Sequence, residues 1–451
     1  MFIKRTTELN LLTQQYDSPG LRLVILYGRK GIGKTSLLRE FIIGKPAYYY
    51  NGVECDDRLQ LNRMYDQFGL PRNEAADDMD YITLFTALAE QQEQKTVILL
   101  DEFHLIIKNG SGLLEALQQL DKLPDHVMLV LCSSSIRFVE NEMVAWMGEA
   151  AARISSFVKL KEFTFVDFVN RFPKSSVGTC IYIDGILGGI PGYLEDWRED
   201  KSVKDNLIGS ILDKNHRLFS EPWNYLKQEL REPAVYNTLL TALAQGNTKL
   251  NELHAVTGYS RAKILVYLKA LTELDIVEKL VPLGEKGREN AKKGLYRIKD
   301  HFLHFWFRFL FPHLSELELG QKETVYEQYI RPYLNAYLED YFADVCMEYL
   351  KLMNQHRRLS VKYQWWDRWY GKNGTIHIIG KESGGETLAG RCIWEDRKAE
   401  TGDFDYLITL SKEAGLTPEL FYLFSKEGFT AELKELAESR KNIVLVRLED
   451  L

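Results

Sequence analysis

Cysteine is scarce. Five residues (Cys55, Cys132, Cys180, Cys346 and Cys392) are scattered through 451 positions, an odd number with no CxxC pair. That excludes a disulfide framework or a zinc ribbon and fits a reducing cytoplasm. Long apolar runs are also missing. The most apolar stretch, "HFLHFWFRFLF" at 301–311, is short and carries Arg308, so no membrane span is expected. The start, "MFIKRTTELN", is charged and turn-rich and shows no secretory leader pattern. Positive charge is not in excess. There are 57 Lys and Arg against 64 Asp and Glu, a net charge of -7. Whole-protein attraction to nucleic acid or to an anionic membrane is thereby disfavoured, and any nucleic-acid contact needs a local basic face. No internal repeat and no low-complexity linker interrupts the chain.

What is present is globular. At 45% hydrophobic and 27% charged residues, the chain can fill packed cores and is too apolar for disorder. Its length implies two to four domains. Up to about residue 200, strand and helix patterns alternate. "LRLVILY" (21–27), "AYYYNG" (47–52), "TVILLDE" (96–102) and "VMLVLCSSS" (127–135) read as strands. "KTSLLREFII" (34–43), "ITLFTALAEQQEQ" (82–94) and "GLLEALQQLD" (112–121) read as helices. Continuous apolar strands between helices indicate a parallel sheet covered on both faces. Residues 205–230 read as helical, with Trp223 and Leu226 in the core. Between 233 and 300 come three helices and a two-stranded ribbon, the winged-helix arrangement. An aromatic helix at 300–312, a long helix at 325–353 and a mixed α/β region at 359–451 follow.

"GRKGIGKT", Gly28 to Thr35, fits GxxxxGK[ST] between a strand and a helix. Its glycines let the backbone fold round phosphates with N–H groups pointing inward. Gly28, Gly31, Gly33, Lys34, Thr35 and Ser36 are the expected nucleotide contacts. Lys34 would reach the β- and γ-phosphates of ATP, and Thr35 would hold Mg²⁺. Asp101 ends a buried strand where open α/β sheets place ligands, and would bind Mg²⁺ directly or through water. Glu102 would orient or deprotonate the attacking water. Ser133 or Ser134, at the end of the next strand, would sense the γ-phosphate, or simply form a turn.

These motifs, in order, resemble a family. "FIKRTTEL" resembles the opening RExEL motif of AAA+-like and STAND-type ATPases. "LYGRKGIGKTSLL", "VILLDEFHLI", "LCSSS", "GGIPGYL" (188–194), "YRIKDHFLHFWFRF" and the ending "LFYLFSKEGFTAELKELAESRKNIVLVRLEDL" follow it. Together they resemble archaeal and bacterial P-loop ATPases with a carboxy-terminal PD-(D/E)XK nuclease-like domain of unknown function. The resemblance implies a strand inserted between the phosphate-loop strand and the Asp101 strand. It implies that Arg5 and Glu8 lie near the adenine or brace the first helix, and that Pro191 sits where a helical subdomain meets the nucleotide. Arg153 is either an arginine finger for a neighbouring subunit or a surface arginine before the next strand. Cys132 stands where the family commonly has glycine.

Two further regions carry chemistry or its loss. In the winged helix, Tyr259, Ser260, Arg261 and Lys263 begin the helix that would read duplex DNA, and Lys286, Arg288, Lys292 and Lys293 lie in the wing. Residues 231–300 hold 12 Lys and Arg against 8 Asp and Glu, which suits phosphate contact but equally suits a lid packed on the ATPase. In "GTIHIIGKESGGETLAGRCIW" (374–394), two strands meet at Gly384-Gly385. A nuclease of this kind needs Asp, Glu and Lys converging on Mg²⁺. The matching positions hold His377, Arg391 and Ile393, and the preceding helix has Ala343 where Glu is common. Arg391 would repel the metal. Glu395 and Asp396 offer a relocated site or a solvated turn.

The fold class expected is α/β: a P-loop NTPase parallel sheet with a helical subdomain, then a winged helix, then a mixed α/β restriction-endonuclease-like domain. The boundaries drawn are 1–165, 166–230, 231–315 and 316–451, the last an inactive nuclease-like domain. The function implied is a slow ATPase acting as a nucleotide-dependent switch, with a docking domain for an unidentified protein partner. One alternative is a DNA-binding ATPase. Another, an active metal-dependent nuclease, is disfavoured by the substitutions. A homo-oligomer is left open.

Overall fold

The computed structural model describes residues 5–71, 79–280, 294–385 and 387–451. They fall into two compact units. One runs to Glu162 and takes in Ile190–Gly192; the other holds Phe163–Gly189 and Tyr193–Leu451.

In the first unit, β1 (Arg22–Tyr27), β2 (Ala47–Asn51), β3 (Thr96–Asp101), β4 (Val127–Ser133) and β5 (Ile154–Lys159) form one parallel sheet. The order is β2-β3-β4-β1-β5, so β4 lies between the phosphate-loop strand and the Asp101 strand. β3 and β4 are buried along their whole length, which is why they read as unbroken apolar runs. Ile25, Leu100 and Leu129 pack with Phe85, Phe103 and Phe138 on one side of the sheet. Helix Asp57–Phe68 was not anticipated from the sequence. Charged residues dilute its apolar spacing, and its limits are set instead by Asp56, which accepts from the Leu59 N–H at 2.8 Å, and by Gly69 at φ 67°.

The second unit opens with helices Phe165–Arg171, Val177–Leu187 and Arg217–Glu229. Helices Pro233–Ala244, Leu250–Thr257 and Arg261–Glu273 come next, with an antiparallel ribbon of β6 (Val277–Leu280) and β7 (Leu295–Ile298). Lys286, Arg288, Lys292 and Lys293 lie outside the described residues. The stretch expected as one long helix over 325–353 is helical throughout but changes pitch, with a π turn (Tyr326–Ile330) and a 3-10 turn (Arg331–Tyr333) before the α-helix Leu334–Gln355. Pro332 lacks the N–H that would continue the preceding turns. A five-stranded mixed sheet closes the chain: β8 (Trp365–Tyr370), β9 (Thr375–Lys381), β10 (Thr387–Ile393), β11 (Leu420–Ser425) and β12 (Ile443–Arg447), ordered β12-β11-β10-β9-β8. β8, β9 and β10 are antiparallel neighbours, with Leu388 opposite Gly380 and Gly390 opposite Ile378. β10, β11 and β12 run parallel, joined by helices Thr401–Glu413 and Ala431–Ser439.

Within this unit, helix Val177–Leu187 packs closely on helix Leu334–Gln355 through Gly185. A Cβ there would strike Leu338 and lie 3.2 Å from the Tyr341 ring. Gly185→Val should therefore cost about 1–3 kcal/mol by overpacking, measured as an earlier urea midpoint. An unchanged midpoint would mean that the two helices can part freely.

Candidate nucleotide-binding site

β1 ends at Tyr27, and the loop Gly28–Gly33 turns into helix Lys34–Phe41. Gly31 and Gly33 have φ of 80° and 95°, the left-handed region that favours glycine. The loop's carbonyls are taken up from several sides. Lys34 Nζ donates to Gly28 O at 2.8 Å and to Arg29 O at 3.1 Å. The Gly192 N–H donates to Gly31 O at 2.9 Å, and Arg5 Nη2 to Ile32 O at 2.8 Å. Arg5 also donates to Lys161 O at 2.9 Å and lies 3.5 Å from Glu8. Arg5 is thus a brace on the loop's outer side. Pro191 lies against Gly33, its Cγ 4.0 Å from where a Cβ would stand. Ser36 is exposed on the first turn of the helix.

β3 and β4 end beside the loop. Asp101 Oδ2 accepts from the Thr35 hydroxyl at 3.2 Å and from the Tyr49 hydroxyl at 2.9 Å. Burial, and then the Asp101 charge, push the Tyr49 phenol well above its ordinary range, so it stays a donor. Glu102 has φ 50° and ψ 37°, a left-handed conformation uncommon for a side chain of its size. Its Oε2 accepts from the Ser134 N–H at 2.9 Å and the Ser134 hydroxyl at 2.7 Å. Ser133 is fully buried, its Oγ 3.0 Å from His104 Nδ1. His104 Nδ1 is in turn 3.4 Å from Glu102 Oε2. Burial, helped by Lys108 and Lys34, lowers the His104 pKa to about 4, so the ring is neutral near pH 7.

The structure brings Lys34, Thr35, Asp101, Glu102 and Ser134 together. Ser133 points to His104, and Cys132 is buried in β4 with its thiol pushed up by burial. Arg153 sits apart. It immediately precedes β5, half exposed, 3.6 Å from Asp121. Ile154 pairs with Leu23 near the start of β1, whereas the loop leaves β1 after Tyr27. Arg153 is therefore at the far end of the sheet from the loop. Sequence reasoning missed Tyr49 and His104. Tyr49 reaches Asp101 only because β2 pairs with β3. His104, two residues past Glu102 in a motif already singled out, was the more visible of the two.

In the second unit, His377 is buried and its Nδ1 accepts the Cys392 N–H at 2.9 Å. Arg391 Nε lies 3.4 Å from Asp403 Oδ1, and Arg397 forks onto the same carboxylate at 2.8 and 3.0 Å. Burial raises the Glu339 carboxyl pKa, while nearby His377 and Arg391 oppose the shift. Glu339 is one helical turn before Ala343 and was not singled out from the sequence. Ile393 is buried in the sheet core. Among the described residues, no three of His, Cys, Asp and Glu form a metal-binding group. At the start of helix Arg261–Glu273, Arg261 Nε donates to Asn251 Oδ1 at 2.8 Å, and Lys263 Nζ lies 4.5 Å from the Tyr259 ring centre. The same helix exposes Leu265 and Val266.

Residues 2–197 match the family described as an ATPase domain predominantly from Archaea, and residues 306–403 match a family of archaea bacterial proteins of unknown function. Residues 2–197 thus form an ATPase domain of the archaeal type, and the second domain lies in the carboxy-terminal half. The uncharacterized protein MJECL04 of Methanocaldococcus jannaschii is 29% identical over 402 residues, 88% of this chain and 88% of its own length. Among solved structures, the Walker-type ATPase paby2304 of Pyrococcus abyssi is similar at 18% identity and a TM-score of 0.48, over 68% of this chain and 96% of that one. The Aeropyrum pernix ORC2 protein, in its ADPNP–ADP complexes, is similar at 13% identity and a TM-score of 0.45, over 71% and 96%.

His104 gives a pH signature. Its folded pKa, about 4, lies below the ordinary 6.5, so the unfolded chain takes the proton first as pH falls. Stability should drop between about pH 6.5 and 4. His104→Gln should flatten the fall of melting temperature over that window; an unaltered slope would place the acid sensitivity elsewhere.

Proposed function

We propose that this chain binds ATP with Mg²⁺ and acts as a slow, nucleotide-dependent switch. The observation that carries the reading is the meeting of the loop after β1, Asp101 and Glu102 at the end of β3, and Ser134 after β4, at three adjacent strand ends. The Thr35 hydroxyl and the Asp101 carboxylate are hard oxygen donors 3.2 Å apart, a set that suits Mg²⁺. The metal would supply neutralising charge to the phosphates. Lys34, now folded onto the loop's own carbonyls, would turn to phosphate oxygens. Glu102 would orient or deprotonate the attacking water. Its Oε2 already accepts two hydrogen bonds from Ser134, so it must exchange them before it can act. That exchange supports slow turnover. It also links the carboxylate to the end of β4, where the terminal phosphate would be felt.

Ile190–Gly192 rests on the loop, while the residues on either side in sequence belong to the other unit. This covalent link supports transmission of nucleotide state. Arg153, far from its own loop, would serve only as a finger toward a neighbouring subunit in a homo-oligomer. In the carboxy-terminal sheet, Arg391 and Arg397 share Asp403 where a nuclease would need free carboxylates. That supports a nuclease-like fold with its chemistry lost and kept for docking a protein. The three-helix-and-ribbon region reads as a winged helix. Its exposed Leu265 and Val266 suit a protein surface better than the phosphates of duplex DNA.

Lys34→Ala should abolish binding of a fluorescent ATP analogue. Glu102→Gln should bind it normally and lose turnover by about 10²–10⁴-fold. ATP hydrolysis at the native rate by Lys34→Ala would sink the switch reading.

A further inference from the structure

Residues 356–373, which lead into and out of β8, have a composition unlike the rest of the chain. They hold five lysines and arginines, one carboxylate (Asp367) and three of the eight tryptophans. The chain as a whole is acidic, so this concentration is local. Arg368 is buried and bonded to Asp344 at 2.8 Å. Arg357, Arg358, Lys362 and Lys372 are exposed, and none has a carboxylate partner among the described residues. Trp365 is 57% exposed and Tyr370 36%, unusual for rings of this size on a sheet. β8 is the outer strand of its sheet, about 20 Å long at the usual rise per residue. At its end opens a cavity of about 800 Å³, lined by Trp369, Tyr370 and Lys372 from this side and by Lys249, Asn251 and Leu295 from the ribbon side. Among the described residues, no acidic side chain lines it. Lys249 is paired with Glu252 at 2.9 Å, so among the described lining residues Lys372 is the cation left for a ligand.

Exposed rings interleaved with cations that no described carboxylate pairs match a ligand that is anionic and carries flat aromatic groups. A duplex buries its base faces, so rings cannot stack on them. An unpaired strand offers both phosphates and bases. We propose that the β8 edge and the cavity at its end bind single-stranded nucleic acid. Trp365 and Tyr370 would stack on bases, and Arg357, Arg358, Lys362 and Lys372 would meet the phosphates. This site is distinct from the helix that begins at Arg261. It rests on no assumption about ATP turnover.

The test uses the full chain and fluorescein-labelled oligothymidylate, oligouridylate and a matched duplex of about twenty units. Anisotropy is read between about 50 and 300 mM salt. At least one single strand should bind, with affinity falling steeply as salt rises and with quenching of tryptophan emission. The preference between the two strands tells DNA from RNA. Trp365→Ala with Lys372→Ala should weaken binding about tenfold or more, while ATP turnover stays unchanged. Trp365→Phe, which keeps a ring, should retain most of the affinity. Three results would overturn the proposal: no binding of either single strand at low salt, equal or tighter binding of the duplex, or native affinity in the double variant. Loss of binding in Arg261→Ala with Lys263→Ala, but not in the β8 variant, would also overturn it.

Discussion

A phosphate loop can turn its N–H groups inward only if its carbonyls are satisfied elsewhere, and the first unit is organised around that requirement. Gly28 and Arg29 offer their carbonyls to Lys34. Gly31 gives its carbonyl to the Gly192 N–H, Ile32 to Arg5, and Gly33 to the Leu37 N–H of the following helix. Two of these acceptors are thus held by residues remote in sequence: Arg5 before the sheet and Gly192 after it. Glycine suits position 192, because a Cβ there would lie 3.1 Å from both Gly31 Cα and Gly31 O, closer than ordinary van der Waals contact. The first-turn N–H groups of helix Lys34–Phe41 have no intrahelical acceptor by construction. They and the helix dipole then face the space an anion would take. Removing either outside brace would free a carbonyl to compete for that space.

How much of this was legible follows from which interactions are local. The glycine spacing, Lys34, Thr35 and the Asp101–Glu102 pair are short-range patterns, and strands 21–27, 96–102 and 127–135 were read within a residue or two of β1, β3 and β4. The position of β4 between them came from family likeness, since no spacing encodes strand order. Tyr49 and His104 were hidden for the same reason. Each is an ordinary residue in sequence and gains its meaning from a neighbouring strand. The contacts of Arg5 and Gly192 with the loop span 27 and 161 positions, so a motif there shows that a residue matters but not which atom it holds. Helix continuity was misread where proline intervened, since the turns change pitch at Pro332.

The carboxy-terminal hairpin illustrates the opposite case. Its strands were plain from the isoleucines and the Gly384-Gly385 break, and β9 and β10 pair as expected. The unread part was what fills the position opposite the substituted residues. Asp403 comes from a helix beyond the hairpin and lies between Arg391 and Arg397. Burial works against its charge, and Arg397 and Arg391 nevertheless hold the carboxyl below its usual range. A carboxylate held by two guanidiniums is a structural element; it has little capacity left for a metal. Glu339, by contrast, has its pKa raised by burial beside the same residues.

A second shared carboxylate explains why the ribbon and the β8 edge belong to one body. Asp344, on helix Leu334–Gln355, meets Arg297 of β7 at 3.3 Å and Arg368 of β8 at 2.8 Å. Burial opposes its ionisation, but the two arginines keep it below the usual carboxylate range. Buried ion pairs add little net stability, because desolvation offsets most of the attraction. Their effect is on geometry. Arg368 already has Nε and Nη1 without hydrogen-bond partners, so withdrawing Asp344 would strand a guanidinium that is 7% exposed. Displacing the ribbon would take Arg297 from Asp344, and displacing β8 would take Arg368 from it. The shared carboxylate therefore ties the ribbon, the helix and β8 together beside the cavity.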